Sequence, residues 1–211
     1  MKTSVHHAQQ EHRLNHAMVK AIELGDLAQV KHCIAEGATL HQLAGRALHP
    51  YSMEQDSVLH RAVKLGQQDI VEYLLGLGCK VNARTRRLRS PLHYATYPGV
   101  PVDMVSMLLS AGAALEAKDD DEASAFMWAC YLDNMPAVGL LFEKGADAYS
   151  PDDFDRGHGY TPLEWAAYQG NVDVVKFLLD RCEFTEAQLA SAQQNAMNNA
   201  QEEIVALLEN S

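Results

Sequence analysis

The sequence predicts an all-α solenoid of helix-turn-helix units stacked side by side. Two patterns carry this. A block beginning Ser57-Val58-Leu59-His60-Arg61-Ala62-Val63 returns thirty-three residues later as Ser90-Pro91-Leu92-His93-Tyr94-Ala95-Thr96, and then twice more. Within each block a short apolar helix, a break, and a second helix with apolar residues at i, i+3 and i+4 follow one another. Neither helix can bury its apolar face alone, so the units must stack.

The elements follow in order. Residues 1–13 are polar, contain His6 and His7, and are expected to form a flexible N-terminus. Residues 14–211 form a single domain. Its cap, 14–40, holds a degenerate copy: Ala21-Ile22, Gly25, Val30, Cys33-Ile34 and Gly37-Ala38. An insertion loop, 41–56, follows. The repeats occupy 57–182. The first continues from Ser57 through Gly66, Val71 and Leu74-Leu75 to Gly78; the second runs through Gly99, Val105 and Leu108-Leu109 to Gly112-Ala113. The third is Ser124-Ala125-Phe126-Met127-Trp128-Ala129-Cys130, then Asp133, Val138, Leu141-Phe142 and Gly145-Ala146. The fourth is Thr161-Pro162-Leu163-Glu164-Trp165-Ala166-Ala167, then Gly170, Val175 and Leu178-Leu179. The C-terminal cap, 183–211, keeps Ala196-Met197, Ala200, Val205 and Leu207-Leu208 but gains Gln193, Gln194, Asn195, Asn198 and Asn199, the wet face a terminal unit needs. Ser or Thr opens each first helix, Pro often stands in its first turn, and Gly ends the second helix. The small residues Ala62, Ala95, Ala129 and Ala166 suit close helix packing.

These blocks resemble the ankyrin repeat family, whose unit reads TPLHxAAxxG followed by VxxLLxxGA. The resemblance covers roughly residues 14–209, with four good copies in register. It implies the stacked fold with extended finger loops joining the units, and for His60 and His93, in the TPLH position, a hydrogen bond between repeats rather than catalysis. Met127 and Glu164 replace that histidine in the other copies.

The resemblance also implies a binding face. The residue after the His position and the one three later share a side of the first helix, and in the family this side leans toward a concave groove. The pairs are Lys20/Glu23, Arg61/Lys64, Tyr94/Tyr97, Trp128/Tyr131, Trp165/Tyr168 and Asn195/Asn198. Six aromatics therefore line up across three adjacent repeats. One such ring would be read as core. Three consecutive pairs point to a contact surface, since Trp and Tyr dominate interface hot spots.

The fingers differ in length and charge. From the repeat-ending Gly to the next Ser or Thr the distances are 12 (Gly78 to Ser90), 12 (Gly112 to Ser124), 16 (Gly145 to Thr161) and 20 (Gly37 to Ser57). Insertions in a solenoid fall on loops, often on the binding side. Lys80, Arg84, Arg86, Arg87 and Arg89 make one finger basic; Glu116 to Glu122 and the stretch from Asp147 to Asp155 are acidic. Arg61, Lys64, Arg84, Arg86 and Arg87 join the six rings as expected contacts with a partner. A basic, then aromatic, then acidic groove would orient a charged partner and speed its encounter.

The chain carries 17 Lys and Arg against 28 Asp and Glu, a net charge of −11. Residues 91–211 hold 5 basic and 20 acidic residues, a net of −15. That balance argues against nucleic acid, although the basic finger 80–89 offers a local patch. No run approaches about 18 apolar residues, so no membrane span is expected. Cys33, Cys79, Cys130 and Cys182 form no CxxC pair, and free thiols in a cytoplasmic setting are expected. No nucleophile elbow, phosphate loop or zinc-protease motif occurs. His12 and His16 have helical spacing but no third ligand, and Asp119-Asp120-Asp121-Glu122 lacks calcium-loop spacing. The expectation is no cofactor, no metal and no catalysis. The function expected is a protein-binding module, monomeric on its own, acting as adaptor or inhibitor. A sharper alternative is a bacterial immunity-type inhibitor that neutralises a toxin enzyme; a host-directed effector and nucleic-acid contact through the basic finger are further alternatives.

Overall fold

The computed structural model describes residues 2–40, 56–153 and 159–210, with side-chain surroundings from residue 9 onward. The described residues form twelve helices and no strand. They pair as α1 (Lys2–Leu24) with α2 (Leu27–Ala35), α3 (Val58–Lys64) with α4 (Gln68–Gly76), and α5 (Pro91–Ala95) with α6 (Asp103–Ser110). Next come α7 (Ala125–Tyr131) with α8 (Met135–Glu143), α9 (Pro162–Gln169) with α10 (Val172–Arg181), and α11 (Glu186–Asn198) with α12 (Glu202–Glu209). The stretch 1–13, expected to be a flexible N-terminus, has a helical backbone from Lys2, continuous with the first cap helix. Of the insertion loop 41–56 only Asp56 lies within the described residues, and Asp155 and Arg156 of the acidic stretch 147–155 and its edge lie outside them.

Two layers build the stack. First helices pack on first helices, α1 on α3, α3 on α5, α5 on α7, α7 on α9 and α9 on α11; α8, α10 and α12 pack in the second layer. The close approach in the first layer is why alanine recurs there: Ala62, Ala95, Ala129, Ala166 and Ala196 are fully buried. The second helix of each of the four central units adds a valine and a leucine, Val71 and Leu74 through Val175 and Leu178, also fully buried. Each such side chain contributes about 1.5–3 kcal/mol relative to exposure.

The caps explain where helices start. Ser57 accepts from the His60 amide, and the Ser57 amide donates back to His60 Nδ1, 3.2 Å away. Ser90 with His93, Thr161 with Glu164 and Thr185 with Gln188 repeat that reciprocal box. Gly170 ends α9 with φ 86°, a left-handed turn, and a Cβ there would meet Gln201 Oε1 at 2.5 Å. Asp133 takes the same role with φ 55°, which a short polar side chain tolerates. Asn134 and Asn171 then reach across to the preceding unit, bonding the carbonyls of Thr96 (2.9 Å) and Cys130 (2.8 Å) that terminate its first helix.

Candidate functional site

The fingers share one closure. In the first, the Thr85 amide donates to the Arg89 carbonyl (3.0 Å) and Thr85 Oγ1 accepts from the Arg89 amide (3.2 Å). In the second, Asp119 bonds Ala123 in the same two ways, both at 3.0 Å. In the third, Asp152 bonds Tyr160 at 3.0 and 2.8 Å, with the inserted residues between them. Thr85, Asp119 and Asp152 are thus equivalent, as are Arg89, Ala123 and Tyr160. Leu88 and Glu122, each preceding the closing residue, take positive φ of 54° and 57°.

Each closed finger is tied to the unit before it. His60 Nε2 lies 3.1 Å from the Arg89 carbonyl, and His93 Nε2 lies 3.1 Å from the Ala123 carbonyl. Because backbone amides donate to both Nδ1 atoms, Nε2 carries the proton and donates. Burial above all holds both imidazoles down to a pKa of about 4, against the raising effect of those carbonyls. A second proton would also face an amide N–H. Where glutamate stands instead, Glu164 receives the Ser191 hydroxyl of α11. The histidines are therefore inter-repeat bolts, as the sequence resemblance implied.

The six predicted rings form one continuous file. Tyr94 contacts Tyr97 (centroids 5.4 Å apart), Tyr97 contacts Trp128 (5.8 Å), and Trp128 contacts Tyr131 (6.5 Å). Tyr131 meets Trp165 edge-on at 5.1 Å and 90°, and Trp165 meets Tyr168 at 5.6 Å. The file is not uniformly a surface. Tyr94 has 0% exposure and donates its hydroxyl to Asp56 at 2.8 Å, so this predicted contact residue supports the file from beneath. Tyr131 and Tyr168, at 38% and 37%, are its open rings. Trp128 and Trp165 are partly buried on either side of Tyr131, each indole N–H anchored by a finger carboxylate: Asp119 at 3.1 Å and Asp152 at 2.5 Å.

The predicted cations divide similarly. Arg61 is half-buried and paired with Glu23 of α1. Lys64 lies 5.6 and 5.7 Å from the Tyr94 and Tyr97 centroids. Arg84 is exposed and donates to the Leu88 carbonyl (2.5 Å), Arg86 is exposed, and Arg87 sits 3.5 Å from Asp120 of the next finger. The basic and acidic fingers therefore touch one another.

Four residues central to the site escaped the sequence prediction: Arg89, Asp119, Asp152 and Tyr160. Arg89 is buried, stacks its guanidinium 4.4 Å over Trp128, and faces Asp119 at 3.7 Å. Tyr160 packs 4.9 Å from Trp165. A recurring Thr or Asp ahead of each Ser/Thr cap was the available signal, masked in the third finger by its longer loop. Arg89, Asp119 and Asp152 line a cleft of about 170 Å³ together with Arg87, Asp121, Ala123, Met127, Trp128, Tyr131 and Trp165. Asp119, Asp120 and Asp121 crowd their carboxylates within 4.8 Å; burial first, then Asp120 and Asp119, pushes the Asp121 carboxyl above its ordinary range. The arrangement offers flat apolar walls, fixed carboxylates and no nucleophile beside a base.

Comparison with known proteins agrees with this geometry. Residues 16–119 and 92–189 match the family model described as ankyrin repeats, three copies. An ankyrin repeat protein of Rickettsia bellii is 32% identical over 124 residues, 58% of this chain and 66% of that protein. The palmitoyltransferase Hip14 of Drosophila melanogaster is 34% identical over 200 residues, 77% of this chain but 29% of its own length. The ankyrin repeat protein nuc-2 of Neurospora crassa is 29% identical over 128 residues, 60% of this chain and 12% of its own. The chain thus spans less than two thirds of each of these relatives. No helix among the described residues is long and apolar enough to cross a membrane.

Proposed function

The chain belongs to the ankyrin repeat family, whose repeats form protein-protein interaction modules, and from that premise we propose that it is a non-enzymatic adaptor or inhibitor gripping a partner protein on its first-helix and finger face. The observation that supports this most directly is the file of rings ending in Tyr131 and Tyr168. Both are more than a third exposed, yet both are packed edge-on against tryptophans whose indoles are fixed by hydrogen bonds. A rigid, half-open aromatic wall loses little conformational freedom on binding, which is what an interface hot spot requires. Tyr97, Trp128 and Trp165 form the rest of the wall; Arg84, Arg86 and Arg87 form its basic rim. We place the protein in a cytoplasmic setting, consistent with its four free cysteines.

The strongly acidic second half favours a basic partner. The immunity-type reading, in which the chain blocks a toxin enzyme, follows from that charge. Contact with nucleic acid through residues 80–89 draws less support, because Arg87 and Arg89 already face Asp120 and Asp119.

The test is to immobilise the wild type and a Tyr131→Ala/Tyr168→Ala variant, pass native lysate over both, and identify what each retains. A protein held by the wild type and lost by the variant supports the reading. Equal retention by both moves the contact to the fingers, and retention by neither removes the reading.

A further inference from the structure

The edge of the stack opposite the fingers, where each first helix turns into its second, carries one sign of charge. The segments joining the helices of the six pairs hold Asp26 and Asp133 and no Lys or Arg. Asp69, Asp103, Asp173, Glu202 and Glu203 stand in the first turns of the helices that follow. The helix dipole accounts for those first-turn acids one by one. It does not account for Asp133. This residue lies outside the helices at the left-handed position of its turn, where Gly25, Gly66, Gly99, Gly170 and Ala200 stand in the others. Asp133 is exposed, and no described cation pairs with it. Partial burial of its carboxyl first, and then the charge of Asp173, push it above the ordinary range. An asparagine would make the same turn without a charge against Asp173. The acid is thus placed against the interest of the fold.

A groove of about 290 Å³ opens beside it. The turn between α5 and α6 is one residue longer than its counterparts. Val105 follows His93 by 12 residues, whereas Val71, Val138 and Val175 follow His60, Met127 and Glu164 by 11. Pro98, Val100 and Val102 line the groove from this turn, and Leu132, Asp133 and Pro136 line it from the next unit. Asn134 ties the two units together there, donating to the Thr96 carbonyl at 2.9 Å. The prolines fix their own backbone, so the groove is preformed. We propose that this groove is a second docking site, apart from the file of rings, and that it receives an apolar side chain from a basic segment of a partner protein, whose Lys or Arg faces Asp133 and Asp173. Apolar walls select the side chain, and the row of acids selects its flanking charge. An acidic segment would meet like charges along the whole edge. A chain that holds one protein on its rings and another on this edge is an adaptor rather than an inhibitor.

Three peptides test this: acetyl-Gly-Lys-Leu-Lys-Gly-amide, acetyl-Gly-Lys-Ser-Lys-Gly-amide and acetyl-Gly-Glu-Leu-Glu-Gly-amide. Each is added up to about 10 mM, because so small a contact binds near the millimolar range. In a nitrogen–proton NMR spectrum the backbone signals of Gly99 and Asn134 report on the groove, and the indole signals of Trp128 and Trp165 report on the rings. The expected result is a saturable shift at Gly99 and Asn134 with the lysine–leucine peptide. The serine peptide should bind about fivefold more weakly, and the glutamate peptide not at all. Asp133→Asn keeps the left-handed turn and should fold at least as stably as the wild type, yet bind the lysine–leucine peptide about threefold more weakly. Glu122→Asn removes the same charge from an exposed finger position and should leave binding unchanged. Equal binding of any two peptides, undiminished binding by Asp133→Asn, or an equal loss in Glu122→Asn overturns the proposal. Shifts at the two indoles with none at Gly99 and Asn134 also overturn it, and leave the aromatic contact surface standing.

Discussion

Asp119 holds Trp128 in place: its Oδ2 accepts the indole N–H at 3.1 Å while its Oδ1 accepts the Ala123 amide that closes the same finger. One carboxylate thereby fixes a loop, orients a ring and faces the buried Arg89. Asp152 does the first two of these for Trp165. The geometry of the binding face is thus set by finger residues rather than by the helices that carry the rings.

Removing that carboxylate should be costly. Asp119→Ala removes the carboxylate that faces the buried Arg89 and leaves three donors, the amides of Asp121 and Ala123 and the Trp128 indole, without that acceptor, a loss of about 3 kcal/mol. Urea titration of the variant beside Glu122→Ala, an exposed neighbour, measures this. The neighbour should change stability by less than about 0.5 kcal/mol. Equal effects would mean that Asp119 is merely one acidic residue among several.

The file of rings should split into a structural end and an open end. Tyr94→Phe removes the hydroxyl that bonds the buried Asp56 carboxylate and should destabilise by about 1–3 kcal/mol. Tyr168→Phe touches a partly exposed ring and should be close to neutral. Thermal melts of the two variants separate the roles.

Acid should loosen the stack through its histidine bolts. His60 and His93 titrate near 4 when folded and near 6.5 when unfolded. Between those values the unfolded chain binds more protons, so their contribution is complete above pH 6.5 and is lost as pH falls toward 4. The melting temperature should drop across that window, and less steeply in a His60→Gln/His93→Gln variant. A curve that is flat between pH 6.5 and 4, or a drop that the variant leaves unchanged, contradicts the assignment.

Charge should act on the encounter. With acidic fingers beside the cleft, association with the captured partner should slow as salt rises, while dissociation changes little. Stopped-flow or surface-binding kinetics at two ionic strengths measure both rates; an association rate independent of salt would remove the steering.

Much of this was legible in the residues, and the reasons are local. Repeating Ser/Thr caps, buried alanines and the Val/Leu pairs are short-range signals, so helix pairs and stacking could be read directly. The ring pairs Trp128/Tyr131 and Trp165/Tyr168 were visible for the same reason. What could not be read is how deep each ring sits. Tyr94 and Trp165 occupy equivalent positions of the same pattern, yet Tyr94 is wholly buried with its hydroxyl on Asp56, thirty-eight residues away, while Trp165 is only partly buried. Arg89 was hidden among four other basic residues of its finger, and only the closure of that loop turns it inward. The first cap helix ran against the polar composition of residues 1–13, which signals low apolar burial but does not forbid a helix.

The central claim is that a protein partner sits on the open rings, and photo-crosslinking tests it most directly. Benzoylphenylalanine in place of Tyr131 should capture the partner on illumination, and the same group in place of Phe177, on the second-helix layer, should not. Crosslinking from position 177 with none from 131 would put the partner on the opposite layer and contradict the claim.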